Sequence, residues 1–308
     1  METWARFSAN RSSIRRTLPA VAINQHSLEN VDRVAVPGGW IQFREYQPHD
    51  DLAAAGVPLI VTHGGPGGSS TGLYDALHGL ADHRPVIFYD QLGSKNSPAN
   101  LSHHQMTLER FAQEPFYLMD ALGLKRASLL GHSWGGSVMT AFALNHPEKV
   151  HSLVLSSPLL STRRWINDCN RLLAAITPDN RHNSSIEDIF NQRHFCRAQP
   201  LPPMLLKEQK RNNKELYEHM WGPSEFSHQG VLGDLDFFPR LNELTAKTLL
   251  ICGEHDTATP ETLEAARSRI GAHAHVAVLT NAGHKSYIDQ NRAYLNTVEE
   301  FLEGSQRA

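Results

Sequence analysis

A serine with a glycine two residues away on either side constrains this chain more than any other feature of its sequence. Ser133 is the centre of Gly-His-Ser-Trp-Gly at residues 131–135, which follows an apolar run at 127–130 and precedes a helix-like stretch at 137–144. A turn this tight between a strand and a helix leaves room only for small residues beside the serine. The pattern predicts a strand–turn–helix that holds a serine hydroxyl clear of its surroundings, although such pentapeptides also occur in ordinary turns.

Two downstream residues would complete a catalytic site around Ser133. A serine hydroxyl is a poor nucleophile at neutral pH unless a general base takes its proton and a carboxylate orients that base. Asp256 follows a predicted strand at residues 248–252, and His284 follows another at 275–279. Because the carboxyl ends of parallel strands share one edge of a sheet, we expect the three side chains to meet there. Three other candidate acids do not directly follow a strand: Asp234, Asp236 and Asp289.

A glycine-rich loop upstream predicts the remaining part of the site. An apolar, strand-like run at residues 57–62 leads into His-Gly-Gly-Pro-Gly-Gly at 63–68, which we call the glycine-rich loop. Acyl transfer needs two N–H donors aimed at the oxyanion, one from the residue after the nucleophile and one from a loop after an early strand. The predicted donors are the amides of Trp134 and Gly65. A phosphate-binding P-loop is excluded, because no Gly-Lys followed by Ser or Thr is present.

Five sequence blocks together resemble one known family. They are His-Gly-Gly-Pro-Gly at 63–67, Tyr-Asp-Gln-Leu-Gly-Ser-Lys-Asn-Ser at 89–97, Gly-His-Ser-Trp-Gly-Gly at 131–136, Gly-Glu-His-Asp at 253–256 with Gly-His at 283–284, and Trp-Gly-Pro-Ser-Glu-Phe at 221–226. With these blocks the chain resembles the proline iminopeptidase family of α/β-hydrolases, which includes prolyl aminopeptidases and related amino-acid amidases. In that family the second block usually carries a glycine where this chain has Lys95. Because this loop borders the active site in relatives, we expect Lys95 to affect substrate access.

The order of elements predicts the same fold as the resemblance. After an antiparallel hairpin at residues 31–46, strand-like and helix-like segments alternate, which is typical of a parallel sheet with helices on both faces. We expect an α/β-hydrolase fold with a mostly parallel eight-stranded sheet, and a core domain of residues 31–157 and 241–308. Residues 158–240 lack strand-like alternation, so they are predicted to form a helical cap above the serine.

Residues 1–30 are predicted to form an N-terminal arm. Arginines occur there among serines and threonines, without the apolar stretch of a secretory signal. This composition resembles a transit peptide and fits a disordered or partly helical arm equally well, so both interpretations stay open.

The composition agrees with a soluble enzyme. Of the 308 residues 40% are hydrophobic and 20% charged, and the formal net charge of −3 favours neither nucleic acid nor an anionic membrane as a partner. No apolar run reaches the roughly 20 residues that span a bilayer, and we expect a cytoplasmic protein. Three separated cysteines indicate reduced thiols, and the 18 histidines include no His-Glu-x-x-His, so no metal or cofactor is predicted.

The resemblance implies that carboxylates of the cap bind the substrate's free α-ammonium. Glu225 matches one such position of the family, and Glu187, beside Asp188, is a candidate for the second; for each, a solvated surface charge is the alternative. Four cap aromatics would either wall a pocket for a proline ring or another small side chain, or form the core of the cap: Phe195, Trp221, Phe226 and Phe237.

The sequence therefore predicts a serine hydrolase, most specifically an aminopeptidase that releases an N-terminal proline or another small residue from a small peptide through an acyl-enzyme. An amino-acid amidase, or an esterase or lactonase, would use the same triad of Ser133, Asp256 and His284. A binding protein on a hydrolase scaffold is the third hypothesis, and it is disfavoured because all three triad residues are present.

Overall fold

One sheet runs through the centre of the molecule. The computed structural model describes residues 22–24, 27–48, 56–176, 185–210 and 212–306. Within them the strands are β1 (Ala22–Asn24), β2 (Ser27–Val36), β3 (Gly39–Pro48), β4 (Leu59–Thr62), β5 (Val86–Asp90), β6 (Ala127–His132), β7 (Val150–Ser156), β8 (Lys247–Gly253) and β9 (Ala274–Leu279). Their order across the sheet is β1-β2-β3-β5-β4-β6-β7-β8-β9.

The predicted mostly parallel sheet is confirmed. From β5 through β4, β6, β7 and β8 to β9, every neighbouring pair is parallel, whereas β1, β2 and β3 pair antiparallel. The strands β2 to β9 form the predicted eight-stranded sheet, and the three-residue β1 adds an edge strand. This strand and the start of β2 belong to the stretch predicted as an N-terminal arm. Residues 1–21 of that stretch, and 25–26, lie outside the described residues.

Helices cover both faces of the sheet, as predicted. They are α1 (Thr71–Leu77), α2 (Leu108–Phe111), α3 (Glu114–Ala121), α4 (Trp134–Asn145), α5 (Thr162–Ala174), α6 (Ile186–Phe190), α7 (Pro203–Gln209), α8 (Lys214–Met220), α9 (Pro260–Ile270), α10 (Ser286–Asp289) and α11 (Asn291–Gln306). Within β4, Ile60 packs into the cluster that contains α4 and α9, while Leu59 and Val61 pack into the cluster that contains α1 and α11. Successive strand residues point to opposite faces, so every residue of β4 is buried and the strand reads as a continuous apolar run.

The described residues between β7 and β8 form helices joined by turns and loops, with no strand among them. They contain α5 to α8 and one turn of π-helix at Asn191–Phe195, which we call the π-turn. The segment leaves and rejoins the core at one place, because Thr162 N donates to Leu235 O and Phe237 N to Leu160 O, both at 2.9 Å. Both ends therefore lie just beyond the carboxyl end of β7, above the edge where the predicted catalytic residues emerge. Within the described residues, no helix combines the length and the apolar character that crossing a bilayer requires.

A buried carboxyl group lies under the loop that follows β5. Glu114, at the start of α3, accepts hydrogen bonds from Leu92 N and from the guanidinium of Arg110. Burial raises the pKa of Glu114 to about 7, and the two donors offset this effect only in part.

This carboxyl group makes stability depend on pH. Between pH 4.5, its ordinary pKa, and pH 7 the folded state holds a proton that the unfolded chain has lost, so the unfolding free energy should fall as pH rises. Glu114→Gln removes this ionisation. Urea unfolding would be measured at pH 5 and at pH 8. Between these two pH values, the unfolding free energy of the wild type should fall by on the order of 2 kcal/mol more than that of the variant. Glu243→Gln, at an exposed pair with Arg240, is the control and should follow the wild type. Identical pH profiles for the wild type and Glu114→Gln would contradict the assignment.

Candidate active site

Ser133 is held in a strained turn between β6 and α4. Its φ of 57° and ψ of −121° lie outside the regions that residues with side chains favour. Three backbone hydrogen bonds hold it there: Ser133 N donates to Ser156 O at 2.9 Å, and Ser133 O accepts from Gly136 N at 2.8 Å and from Leu159 N at 3.1 Å. Such strain persists when the surroundings over-determine it, and it is a feature of functional sites.

Two close approaches explain the glycines on either side of the serine. A Cβ atom on Gly131 would collide with the backbone carbonyl of Gly135, the second residue of α4. A Cβ on Gly135 would lie 2.6 Å from the carbonyl oxygen of His63. The spacing of the two glycines around Ser133 is thus a steric requirement. The second contact also brings the glycine-rich loop against the turn that carries Ser133.

His284 and Asp256 form a buried pair. Asp256 Oδ1 lies 2.9 Å from His284 Nδ1 and also accepts from Ala258 N at 2.9 Å. Asp256 Oδ2 accepts from Ser157 Oγ at 2.6 Å. A carboxylate held by these donors places the imidazole proton on Nδ1 and leaves Nε2 as the basic nitrogen. The ring of His132, the residue before Ser133, lies 4.8 Å from that of His284. The turn that carries Ser133 and the pair of Asp256 and His284 therefore share one site.

The other candidate acids are placed elsewhere. Asp289 uses its carboxylate to accept from Gly283 N at 2.8 Å and from Arg197 N at 2.9 Å. Asp234 and Asp236 are exposed where the chain returns from the helical segment to the core. Among the acids of the described residues, Asp256 is the one that is hydrogen-bonded to His284.

The two predicted oxyanion donors flank Ser133. A Cβ on Gly64 would lie 3.5 Å from Ser133 Oγ, so the glycine-rich loop touches the nucleophile, and Gly65 follows with an exposed backbone and a φ of 122°. Trp134 is the first residue of α4, where amides have no acceptor within the helix and the helix dipole favours negative charge.

Gln91, whose role sequence analysis missed, braces both donor segments. Its Oε1 accepts from Trp134 Nε1 at 2.8 Å, while its Nε2 donates to His63 O at 2.9 Å and to Thr62 Oγ1 at 3.0 Å. The available signal was its position, directly after the buried strand β5. Its backbone N also donates to His63 Nε2 at 3.0 Å, and burial lowers the pKa of His63, so this ring is neutral.

A cavity of about 420 Å³ lies under the helical segment; Lys285, the residue after His284, is one of its walls, whereas Ser133 and His284 are not among the described residues that line it. Phe195 is one of its walls, and its ring lies 5.1 Å from that of His284. Both predicted substrate-binding acids line it. Glu225 is half-buried and accepts from Tyr217 Oη at 2.7 Å, whereas Glu187 is exposed. Among the described residues, four carboxylates and one ammonium line the cavity, from Glu187, Asp188, Glu208, Glu225 and Lys285.

The predicted aromatics divide between the cavity and the core. Phe195 lines the cavity, while Trp221 and Phe237 are buried in the apolar cluster that also contains Ile60, α4 and α9. Phe226 packs edge-to-face on Phe190 with ring centroids 4.7 Å apart. Lys95 is exposed and is not one of the described residues that line the cavity.

A buried ion pair next to His284 was also missed from the sequence. Lys285 Nζ donates to Glu208 Oε1 at 2.9 Å, and both side chains are largely buried. Burial alone would lower the pKa of Lys285, but the Glu208 carboxylate and the Tyr287 side chain outweigh it and raise the pKa. The ammonium therefore stays charged, and it neutralises Glu208 rather than the other cavity acids.

Known proteins share both the sequence and this fold. The α/β-hydrolase fold family matches residues 57–290. The chain is 34% identical to a proline iminopeptidase of Heyndrickxia coagulans over 287 residues, which cover 87% of this chain and 97% of that protein. It is 28% identical to a proline iminopeptidase of Lactobacillus acidophilus, covering 87% and 98%. The crystal structure of proline iminopeptidase from Mycobacterium smegmatis superposes with a TM-score of 0.81 at 28% identity, covering 90% and 98% of the two chains.

The chain belongs to the proline iminopeptidase family of α/β-hydrolases. The resemblance drawn from the five sequence blocks is therefore confirmed, as is the hydrolase fold. The roles of individual residues in this family member stay predictions, and two substitutions test the central ones.

Ser133→Ala should abolish hydrolysis, because it removes the attacking oxygen while alanine fits the same backbone. Hydrolysis of an aryl ester and labelling by a fluorophosphonate should both vanish, with the circular dichroism spectrum and melting temperature retained. Ser268→Ala, at an exposed position of α9, is the matched control and should react like the wild type. Substantial turnover by Ser133→Ala would contradict the assignment.

Asp256→Asn should lower kcat by a factor on the order of 10⁴, the loss known for the best-studied serine triad, because an amide no longer selects the required tautomer of His284. Asp236→Asn is the matched control, since Asp236 is exposed and its Oδ1 accepts from Phe238 N at the exit of the helical segment, away from His284. The kcat of both variants on one ester substrate decides the matter. Comparable losses in the two variants would show that Asp256 has no special role.

Proposed function

We propose that this protein is an aminopeptidase that releases an N-terminal proline or another small residue from short peptides, through an acyl-enzyme on Ser133. Its named relatives are proline iminopeptidases. The observation that carries the proposal is the acidic cavity beside His284, covered by the helical segment. The predicted cytoplasmic location and the absence of nucleic-acid partners stay predictions.

The reaction would proceed in two halves. His284 Nε2 takes the proton of Ser133 Oγ as that oxygen attacks the carbonyl carbon of the first residue, and the amides of Trp134 and Gly65 bind the oxyanion. Each donor of this kind stabilises the transition state by about 3 kcal/mol. The imidazolium then gives its proton to the leaving amine, and a water molecule repeats the sequence on the acyl-enzyme. Asp256 orients the imidazole and stabilises its charged form.

Recognition of the substrate's amino terminus falls to Glu225. A buried ammonium needs a carboxylate partner, and the half-buried Glu225 faces the cavity with Tyr217 bonded to one oxygen, Oε1. Burial and the nearby Glu225 carboxylate raise the pKa of Tyr217, so its hydroxyl stays protonated and donates. Glu187, at the exposed rim, would supply a second and weaker charge. A volume of about 420 Å³ is near the lower end of the range of about 300–1,000 Å³ for ligand sites, which suits a small N-terminal residue.

Glu225→Gln should separate amine recognition from hydrolysis. We expect kcat/KM for proline β-naphthylamide to fall on the order of 10- to 100-fold, because a charge-assisted hydrogen bond is lost, while kcat/KM for p-nitrophenyl acetate changes little. Glu187→Gln is the matched control and should have the smaller effect on the naphthylamide. Equal losses on both substrates would contradict an amine-binding role for Glu225.

A substrate panel distinguishes the proposal from amidase, esterase and lactonase activities on the same triad. Aminoacyl-naphthylamides, their N-blocked equivalents, amino-acid amides, aryl esters and lactones would be compared by kcat/KM. The proposal requires that the highest kcat/KM belong to prolyl or small-residue substrates with a free N-terminus. A higher kcat/KM for amides of single amino acids, or for esters, would contradict the aminopeptidase proposal and support amidase or esterase activity instead.

A further inference from the structure

The backbone around His284 is bonded to the helical segment. His284 N donates to His194 O, and Lys285 N donates to Phe195 O, both at 2.8 Å. Both acceptors belong to the π-turn, and they approach so closely that a Cβ on Gly283 would lie 2.8 Å from His194 O. We call residues 281–285 the histidine loop. The position of the histidine loop therefore depends on the π-turn, which lies outside the sheet.

One carboxylate joins the histidine loop to the residues that follow the π-turn. Asp289 Oδ2 accepts from Gly283 N at 2.8 Å, within the histidine loop. Asp289 Oδ1 accepts from Arg197 N and Ala198 N, both at 2.9 Å, and lies 3.5 Å from Cys196 Sγ. Burial raises the pKa of Cys196 to about 12, so its thiol is protonated and can donate. Hydrogen bonds to an ionised acceptor are roughly twice as strong as neutral ones, so the Asp289 carboxylate links the two segments strongly.

Two further contacts cross between the same segments. The Arg197 guanidinium donates to Asn281 Oδ1 at 3.0 and 3.2 Å, and Lys285 pairs with Glu208 of α7. Asn281 has a φ of 55°, so the histidine loop begins with a strained residue that this contact helps to hold.

The π-turn contacts the substrate cavity as well. Asn191, Gln192 and Phe195 line the cavity, while the carbonyls of His194 and Phe195 hold the histidine loop. π-turns are rare, and they occur frequently at functional sites. Asp289 is not one of the described residues that line the cavity, and it bonds the backbone amides of Gly283, Arg197 and Ala198.

We propose that Asp289 is a positioning residue, which fixes His284 relative to Ser133 by clamping the histidine loop to the residues that follow the π-turn. The inference rests on the proposed role of His284 as the base of the site. The wall of the cavity and the support of the base are then one unit, and Asp289, five residues after His284, joins its two segments through three backbone amides.

Asp289→Asn tests the clamp with almost no change of shape. An amide has one acceptor oxygen, whereas Asp289 accepts through both, so asparagine must turn its NH₂ group against either Gly283 N or the amides of Arg197 and Ala198. Glu254→Gln is the matched control. Glu254 Oε2 also accepts from this loop, from Asn281 N at 3.0 Å, but Glu254 is exposed and lies in the core domain.

The measurement is the rate at which a fluorophosphonate labels Ser133. This reagent requires the base but no ammonium site, so the result does not depend on whether the aminopeptidase function is correct. We expect the maximal labelling rate of Asp289→Asn to fall on the order of 10- to 100-fold, since small misplacements of reacting groups have effects of this size. The final extent of labelling should stay complete, and Glu254→Gln should label like the wild type.

A merely structural role gives a different result. It would lower the melting temperature or the labelled fraction, while the folded molecules would label at the wild-type rate. That outcome, or equal slowing in Glu254→Gln, would overturn the proposal. Should Asp289→Asn fail to fold, Asp289→Glu decides, because it keeps both acceptor oxygens and displaces them by one methylene group. It should slow labelling by a smaller factor, and a wild-type rate would overturn the clamp.

Discussion

Ser133 adopts a φ of 57° because β6 must give way to α4 within a single residue, and the hydrogen bonds of Ser133 with Ser156, Gly136 and Leu159 hold it there. The rest of the site is arranged around this turn. The glycine-rich loop can touch the nucleophile only because Gly135 has no side chain to meet His63 O. Gln91 then links that loop to Trp134, so the two proposed oxyanion donors are parts of one hydrogen-bonded framework.

Electrostatics distinguish the interior of the site from the acidic cavity. Burial lowers the pKa of His63 and of His132, so these two imidazoles carry no charge at pH 7. Asp256 accepts hydrogen bonds from several donors, and Glu208 is neutralised by Lys285. Among the described residues, the charge left facing the cavity is that of Glu225 and of the rim acids Glu187 and Asp188, which favours a cationic ligand.

Much of this could be predicted because it depends on local rules. The turn requires glycines at fixed spacing, buried parallel strands read as apolar runs, and functional loops follow the carboxyl ends of such strands. Ser133, Asp256 and His284 were predicted in this way, and the structure pairs the last two. Local rules said nothing about Gln91, Lys285 or Asp289, because each acts on a segment that is distant in sequence. Asp289 was weighed only as a rival to Asp256, yet it bonds the backbone of residues 197 and 198, some 90 positions earlier.

The sequence by itself determined the fold, the order of the predicted triad and the position of the helical segment, since periodicity and glycine spacing follow from backbone geometry. Tertiary structure alone decided which acid pairs with His284, which aromatics face the cavity, and that the π-turn supports the histidine loop. Those outcomes depend on which groups meet when two segments pack, and a buried carboxylate accepts from whichever amides the fold brings to it. Glu225 and Glu187 illustrate the difference: both line one cavity, but only the packing around Tyr217 leaves the first half-buried and the second exposed.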